Sequence, residues 1–257
     1  MKILGIGDII GKPGRDAVQA LLPELKDYYG LDFIVANGEN TAGGIGITPA
    51  IADDLFTCGV DVITSGNHVW AQKEIYEYLD GPCPVIRPLN YPPEVSGRGY
   101  VVQGGTAVVN LIGRTYMNAY DCPFRAMDKL LGELPRDVKV IVVDFHAEAT
   151  SEKVAMGHYL DGRVSAVLGT HTHVATADAQ VFPNGMAYVT DIGMVGPKNS
   201  VIGGNVQSVV ERFLLQIPHR LAVAADKRII FNAVLVDVDT ATGKARGIER
   251  IYREVDI

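Results

Sequence analysis

Short apolar runs recur along the chain, and each breaks off at a polar cluster, usually beside glycine. KILGIG (2–7) stops at Asp8, and DFIVAN (32–37) runs into Gly-Glu-Asn. DVITSG (61–66) precedes Asn-His, VKVIVV (138–143) precedes Asp-Phe-His, and VSAVL (164–168) precedes Gly-Thr-His-Thr-His. Runs of this length read as buried strands. Between the first three lie segments with helical spacing of apolar residues: 15–29, and the segment from Thr48-Pro49 that ends at Gly59. The reading β-α-β-α-β predicts parallel strands with right-handed crossovers. GKPGR (11–15) reads as turn chemistry between the first strand and the first helix.

Further strands are expected at 107–111 and 186–190. The pair 229–238 and 247–254, around a DTATGK turn, should be antiparallel and terminal. Residues 70–105 are rich in proline and turn residues, and read as a small cap or excursion within a single domain spanning 1–257. A chain of 257 residues is near the upper end for one core.

In an open parallel sheet, the carboxyl ends of the strands line one crevice. The clusters therefore predict that Asp8, Glu39, Asn40, Asn67, His68, His146, His171 and His173 converge. Each alone has an ordinary explanation: a cap, a turn residue or a structural histidine. Together they place two carboxylates and four histidines where a core gains nothing by burying them, and a metal would satisfy them. His171 and His173 alternate, so on a continuing strand they would share a face. The donors are nitrogen and oxygen without thiolate, which suits iron or manganese foremost and is compatible with zinc. They outnumber the ligands of one tetrahedral ion, so two ions about 3.5–4 Å apart are expected, with Glu39 as the bridge. Two divalent ions, two carboxylates and a hydroxide leave a charge of about +1, which matches a phosphodiester and tolerates a monoester.

GD at Asp8, the acidic cluster at Glu39, GNH at 66–68, His146 and GTHTH at 169–173 resemble, in that order, the calcineurin-like metallophosphoesterases. KILGIGDIIGKPGR, VANGENTAGGIGIT, TSGNHVW, DFHAEATSEK, LGTHTHVATAD and YVTDIGMVGP resemble its YmdB-like bacterial branch along nearly the whole chain. The resemblance implies an α/β fold: a four-layer αββα sandwich with a small inserted lobe. It also implies two divalent or mixed-valence ions. One would take Asp8, Glu39, Asn40 and His173, and the other Glu39, Asn67, His146 and His171. Many members carry Asp-x-His near the N-terminus and an aspartate bridge. Here Asp8-Ile9-Ile10 lacks that histidine and Glu39 takes the bridge, with Asn40 adjacent.

The expected activity is hydrolysis of 2′,3′- or 3′,5′-cyclic nucleotides by metal-hydroxide attack, with His68 assisting the leaving oxygen. The cyclic selectivity comes from the resemblance alone. A phosphomonoesterase on a small metabolite is the close alternative, and a weakly catalytic, RNA-associated metal protein is the other. Lys12, Arg15 and Lys198 are candidate phosphate contacts, and Arg114, Tyr116, Met117 and Tyr120 candidates for the mouth. A net charge of −7 argues against extended nucleic acid as a partner. Three cysteines without CxxC spacing suit a reducing cytoplasm. No run approaches a membrane span. A homo-oligomer is compatible with all of this.

Overall fold

The computed structural model describes residues 1–217 and 222–257. The chain opens with β1 (Lys2–Ile6), β2 (Asp8–Ile9) and α1 (Gly11–Tyr29). It continues through β3 (Phe33–Asn37), α2 (Pro49–Thr57), β4 (Val62–Thr64) and α3 (Ile75–Asp80). Next come β5 (Tyr100–Gln103), β6 (Thr106–Ile112), α4 (Pro123–Glu133), β7 (Val140–His146), α5 (Thr150–Leu160) and β8 (Ala166–Thr170). The last part holds β9 (Gln180–Val181), β10 (Ala187–Val189), β11 (Met194–Pro197), α6 (Val206–Leu215), β12 (Arg228–Val238) and β13 (Ala245–Asp256).

These strands form two sheets. The first has the order β2-β11-β12-β1-β3-β4, with β13 also paired to β12. The second runs β5-β6-β7-β8-β10-β9. β1, β3 and β4 pair in parallel, as do β6, β7, β8 and β10. The final two strands pair antiparallel as expected. They are more than a terminal appendage, because β12 also pairs with β1 over residues 233–237 and with β11 at 229–230.

Side-chain alternation explains the layering. Ile3, Val35, Val62, Val234 and Val236 of the first sheet meet Val108, Val142, Ala166 and Leu168 of the second in one buried cluster. The opposite face of the first sheet, with Leu4, Ile6, Ile34 and Ile63, packs on Val18, Leu22 and Leu55 of α1 and α2. The opposite face of the second, with Val109, Val143 and Val167, packs on Met127, Met156 and Leu160 of α4 and α5. Strands buried on both faces read as continuous apolar runs, which is why they are legible in the sequence. The result is the four-layer αββα arrangement.

Residues 70–105 give Ile75, Leu79 and Val85 to the helical side of the first sheet, and β5 to the edge of the second. GKPGR does not form a turn: α1 begins at Gly11 and includes it. Pro13 sits in the first helical turn, where an N–H has no partner to lose. Gly14 lies so close to the Val195 carbonyl that a side chain would collide with it.

The carboxyl ends of β1, β3, β4, β7 and β8 reach one rim. There the backbone of Gly169 packs directly on residue 190, and a Cβ would overlap the Thr190 carbonyl oxygen. Gly132 in α4 has open space around its Cα. Gly169→Ala is therefore expected to lower unfolding free energy by at least about 2 kcal/mol. Gly132→Ala should raise it by up to about 0.5–1 kcal/mol. Urea denaturation of both variants checks the pair; equal stabilities would refute the close approach at Gly169.

Candidate metal centre

Each candidate residue leaves the end of a strand. Asp8 lies in β2, Glu39 and Asn40 follow β3, Asn67 and His68 follow β4, His146 ends β7, and His171 and His173 follow β8. Asp8, Glu39 and His146 are fully buried, and Asn40 nearly so. His146 is the hub. Its Nε2 lies 3.0 Å from Glu39 Oε1, 3.2 Å from Asn67 Oδ1 and 3.0 Å from His171 Nδ1. Asp8 Oδ1 lies 3.7 Å from His173 Nε2 and 3.9 Å from His146 Nδ1. Asp8 Oδ2 accepts the His171 backbone N–H at 3.1 Å.

The three histidines are oriented from behind. Thr170 Oγ1 donates to Asp144 Oδ1 at 2.6 Å, so it must accept from His146 Nδ1, 2.9 Å away. That places a proton on Nδ1 and leaves Nε2 as the inward-facing nitrogen. Asp144 is itself held by Asn37 and Thr64. His171 Nε2 sits 3.1 Å from Glu148 Oε2, and His173 Nδ1 donates to the Ile202 carbonyl at 2.8 Å. Each ring thus has an outward partner and an inward nitrogen, the usual arrangement behind metal-ligating imidazoles.

Asn67 has two functions in the geometry. Its carbonyl points at His146, and its Nδ2 donates to His68 Nε2 at 3.1 Å. The His68 backbone N–H fastens Glu39 Oε2 at 3.1 Å. Gly66 has no side chain because one would overlap both His146 and Glu39.

His171 and His173 are not on a continuing strand. β8 stops at Thr170, and both histidines take positive φ, 98° and 65°. Ile202, which receives His173, is also left-handed at 49°, a rare state for a β-branched residue. Strain of this kind persists where the surroundings over-determine it. Here the buried Lys153–Asp191 pair does so: Lys153 Nζ reaches Asp191 Oδ2 and the Thr170 carbonyl, each at 2.7 Å. Asp191 also accepts from Thr172 N and Oγ1.

The electrostatics of the protein alone are lopsided. Burial pushes the Asp8 carboxyl up to about 6, despite the pull of His173 and His146. Burial acts the same way on Glu39, but the His146 imidazolium and the groups of His68 outweigh it and hold Glu39 at about 2. Burial disfavours charge on His146, yet Glu39, Asp8 and Asp144 raise it to about 9. His171, buried beside that cation, falls to about 3.

This donor set fits divalent cations. Asp8 Oδ1 and Asn40 Oδ1 are buried without a hydrogen-bond partner. Such groups cost free energy unless something satisfies them. Ligand atoms of Glu39, His146 and His171 all lie within 4.8 Å of one another. Two carboxylates, two amide oxygens and three imidazole nitrogens are hard-to-borderline ligands for iron, manganese or zinc.

The other basic candidates fall elsewhere. Lys12 pairs with Asp16, Arg15 donates to the Thr41 carbonyl, and Lys198 pairs with Glu254. Arg114, Tyr116, Met117 and Tyr120 do not line the cleft; its outer wall comes from residues 201–204 and α6 instead. Among the described residues, Arg212 is the Lys or Arg that lines it. Sequence reasoning missed Thr170, Asp144, Glu148, Lys153 and Asp191. Thr170, Asp144 and Glu148 were signalled by their position beside the histidine clusters, and Lys153 and Asp191 by nothing local.

Thr170→Val removes the acceptor for His146 Nδ1 and is expected to weaken metal binding about 10–100-fold. Thr170→Ser should keep it near wild type. Competitive chelator titration measures both; unchanged affinity in the valine variant would show that Thr170 does not set the ring.

The YmdB-like protein family matches residues 4–251. The 2′,3′-cyclic-nucleotide 2′-phosphodiesterase of Bacillus subtilis (strain 168) is 46% identical over 255 residues, covering 98% of this chain and 96% of that protein. A crystal structure described as a novel phosphatase of Mycoplasma pneumoniae superposes with a TM-score of 0.92 at 34% identity, covering 100% of this chain and 94% of that one. The calcineurin-like phosphoesterase YfkN of Bacillus subtilis shares the fold at a TM-score of 0.53 and 11% identity, covering 100% of this chain and 90% of that one. With layers and whole-length similarity in agreement, the chain belongs to the YmdB-like family and has the calcineurin-like phosphoesterase fold.

Proposed function

We propose that this chain is a metal-dependent phosphodiesterase that hydrolyses cyclic nucleotides, 2′,3′- or 3′,5′-, at a two-ion centre. The observation that carries the reading is the inward-facing set itself. Three imidazoles are each held from behind, beside the unpartnered Asp8 Oδ1 and Asn40 Oδ1. The name of the Bacillus subtilis relative, a 2′,3′-cyclic-nucleotide 2′-phosphodiesterase, favours the cyclic diester over a monoester.

In this reading Asp8, Glu39, Asn40 and His173 hold one ion, and Glu39, Asn67, His146 and His171 the other. Glu39 suits the bridge because its Oε1 faces His146 while its Oε2 lies on the His68 side. Bound divalent ions supply a lowered water pKa and polarised phosphoryl oxygens. Iron or manganese suits the donors best, and zinc is compatible.

His68 assists the leaving oxygen in this scheme. Asn67 Nδ2 donates to its Nε2, so the ring carries its N–H on Nδ1. His68 also lines the cleft. As a P–O ester bond breaks, that N–H would donate a hydrogen bond to the leaving oxygen and stabilise its developing charge, while water supplies the proton that completes the alcohol. Residues 1–257 act as one unit, and 70–105 flanks this side: Trp70, two residues from His68, packs edge-on against Tyr91 with centroids 4.7 Å apart. No helix among the described residues is long and apolar enough to cross a membrane. Cys58, Cys83 and Cys122 are free thiols, which suits the cytoplasm.

The test is anaerobic reconstitution with manganese, iron(II) or zinc, with metal quantified and turnover measured on both cyclic AMP isomers. Bis-p-nitrophenyl phosphate is expected to be hydrolysed faster than p-nitrophenyl phosphate. A clear monoester preference would replace the diesterase reading with a phosphomonoesterase. His68→Ala should lower kcat about 10²–10⁴-fold with metal retained. Glu39→Ala should lose metal and rate together. A His68→Ala protein that loses metal in step with activity would remove the leaving-group role.

A further inference from the structure

The cleft over the metal centre encloses about 760 Å³ and has a mixed lining. Its polar part is Glu39, Asn40, His68, His171 and His173. Its apolar part is Ile202, Val209, Phe213, Ile217 and Val223. Its volume falls in the range of sites that enclose an organic ligand. A phosphate group alone would fill only a fraction of it.

Helix α6 contributes Val209 and Phe213 to the apolar lining. Val209 is buried and anchors it, and Phe213 lies one helical turn further on, on the same face. Phe213 nevertheless stays 78% exposed, and Ile202 53%. Large apolar groups left open inside a concave site, next to polar ligands, mark a place for an apolar part of the ligand. Leu214, 75% exposed on the same helix, is not part of the cleft wall. Arg212 is the one Lys or Arg among the described lining residues.

We propose that Phe213, with Ile202, Ile217 and Val223, forms the nucleobase subsite of this cleft, an inference that rests on the cyclic-nucleotide reading. An aromatic face stacks on any base, because every base has a π-face. The subsite therefore takes purines and pyrimidines alike, and its contribution is to affinity rather than to the reacting atoms. In this scheme Phe213 is a specificity-determining residue.

The experiment compares the metal-loaded wild type with Phe213→Ala, Phe213→Trp and Leu214→Ala. Calorimetry measures binding of adenosine 3′-monophosphate and of inorganic phosphate. Kinetics compare 2′,3′-cyclic AMP with glycerol 1,2-cyclic phosphate, a diester without a base. Phe213→Ala should weaken nucleotide binding and raise KM for cyclic AMP about tenfold. Its kcat should stay within about twofold, and phosphate binding and glycerol-diester turnover should not change. Phe213→Trp should restore the nucleotide values, and Leu214→Ala should match wild type throughout. Equal losses for nucleotide and phosphate, or no loss in Phe213→Ala, would overturn the subsite. So would equal effects in Phe213→Ala and Leu214→Ala with a change in sedimentation, which would make α6 an interface between copies. If wild type cleaves neither cyclic diester, the phosphodiesterase reading fails, and the calorimetric comparison still decides whether Phe213 holds a base.

Discussion

One buried ion pair fixes the part of the chain on which the centre depends. Lys153 on α5 reaches Asp191, and both are almost wholly removed from water. Burying two charges costs more than their attraction returns unless further hydrogen bonds complete the arrangement. Here they do: Lys153 also holds the Thr170 carbonyl, and Asp191 holds Thr172 and the backbone N–H of Gly193. The pair ties α5, the end of β8 and the segment before β11 into one unit. Its effect is geometric. It keeps the chain from continuing as a strand at the point where His171 and His173 must turn toward Asp8.

That turn explains why two histidines separated by one residue serve different neighbours. On an extended strand both would face the same way. With positive φ at each, His171 turns its Nδ1 toward His146, and His173 turns its Nε2 toward Asp8. The two carboxylates are sorted by the same asymmetry. Glu39 faces the inward nitrogen of His146 at 3.0 Å, whereas Asp8 lies 3.9 Å from the nitrogen already committed to Thr170. Glu39 is thus compensated within the protein and Asp8 is not, which is why burial dominates at Asp8 and leaves its Oδ1 without a partner.

The parts of this design that were legible in the sequence share one property: they are local. Strands buried on both faces leave continuous apolar runs, and a candidate ligand at a strand end is marked by polar residues, usually with glycine, within a few positions. The converging residues, from Asp8 to His173, could be named on that basis. The start of α1 was not legible, because Gly11, Pro13 and Gly14 look like a turn; they form a helix because Gly14 lets it approach the carbonyl of Val195. Lys12, Arg15 and Lys198 were misleading because a basic side chain shows its type but not its partner, and here each partner lies outside the cleft. Lys153 and Asp191 are 38 residues apart, and nothing in either neighbourhood signals the pair.

The same contrast separates chemistry from selectivity. The centre is assembled from strand ends whose positions are fixed by the sheets, so its donors can be held to sub-ångström tolerances. Val209 and Phe213 of the apolar lining come from α6, which lies between β11 and β12 in the chain and is anchored through Val209 as its buried side chain. None of the candidate donors lies on that helix, so a change at Phe213 reshapes the cleft without touching a strand-end donor. The donor set and this part of the cleft wall depend on different elements of the fold, and each can vary while the other is kept.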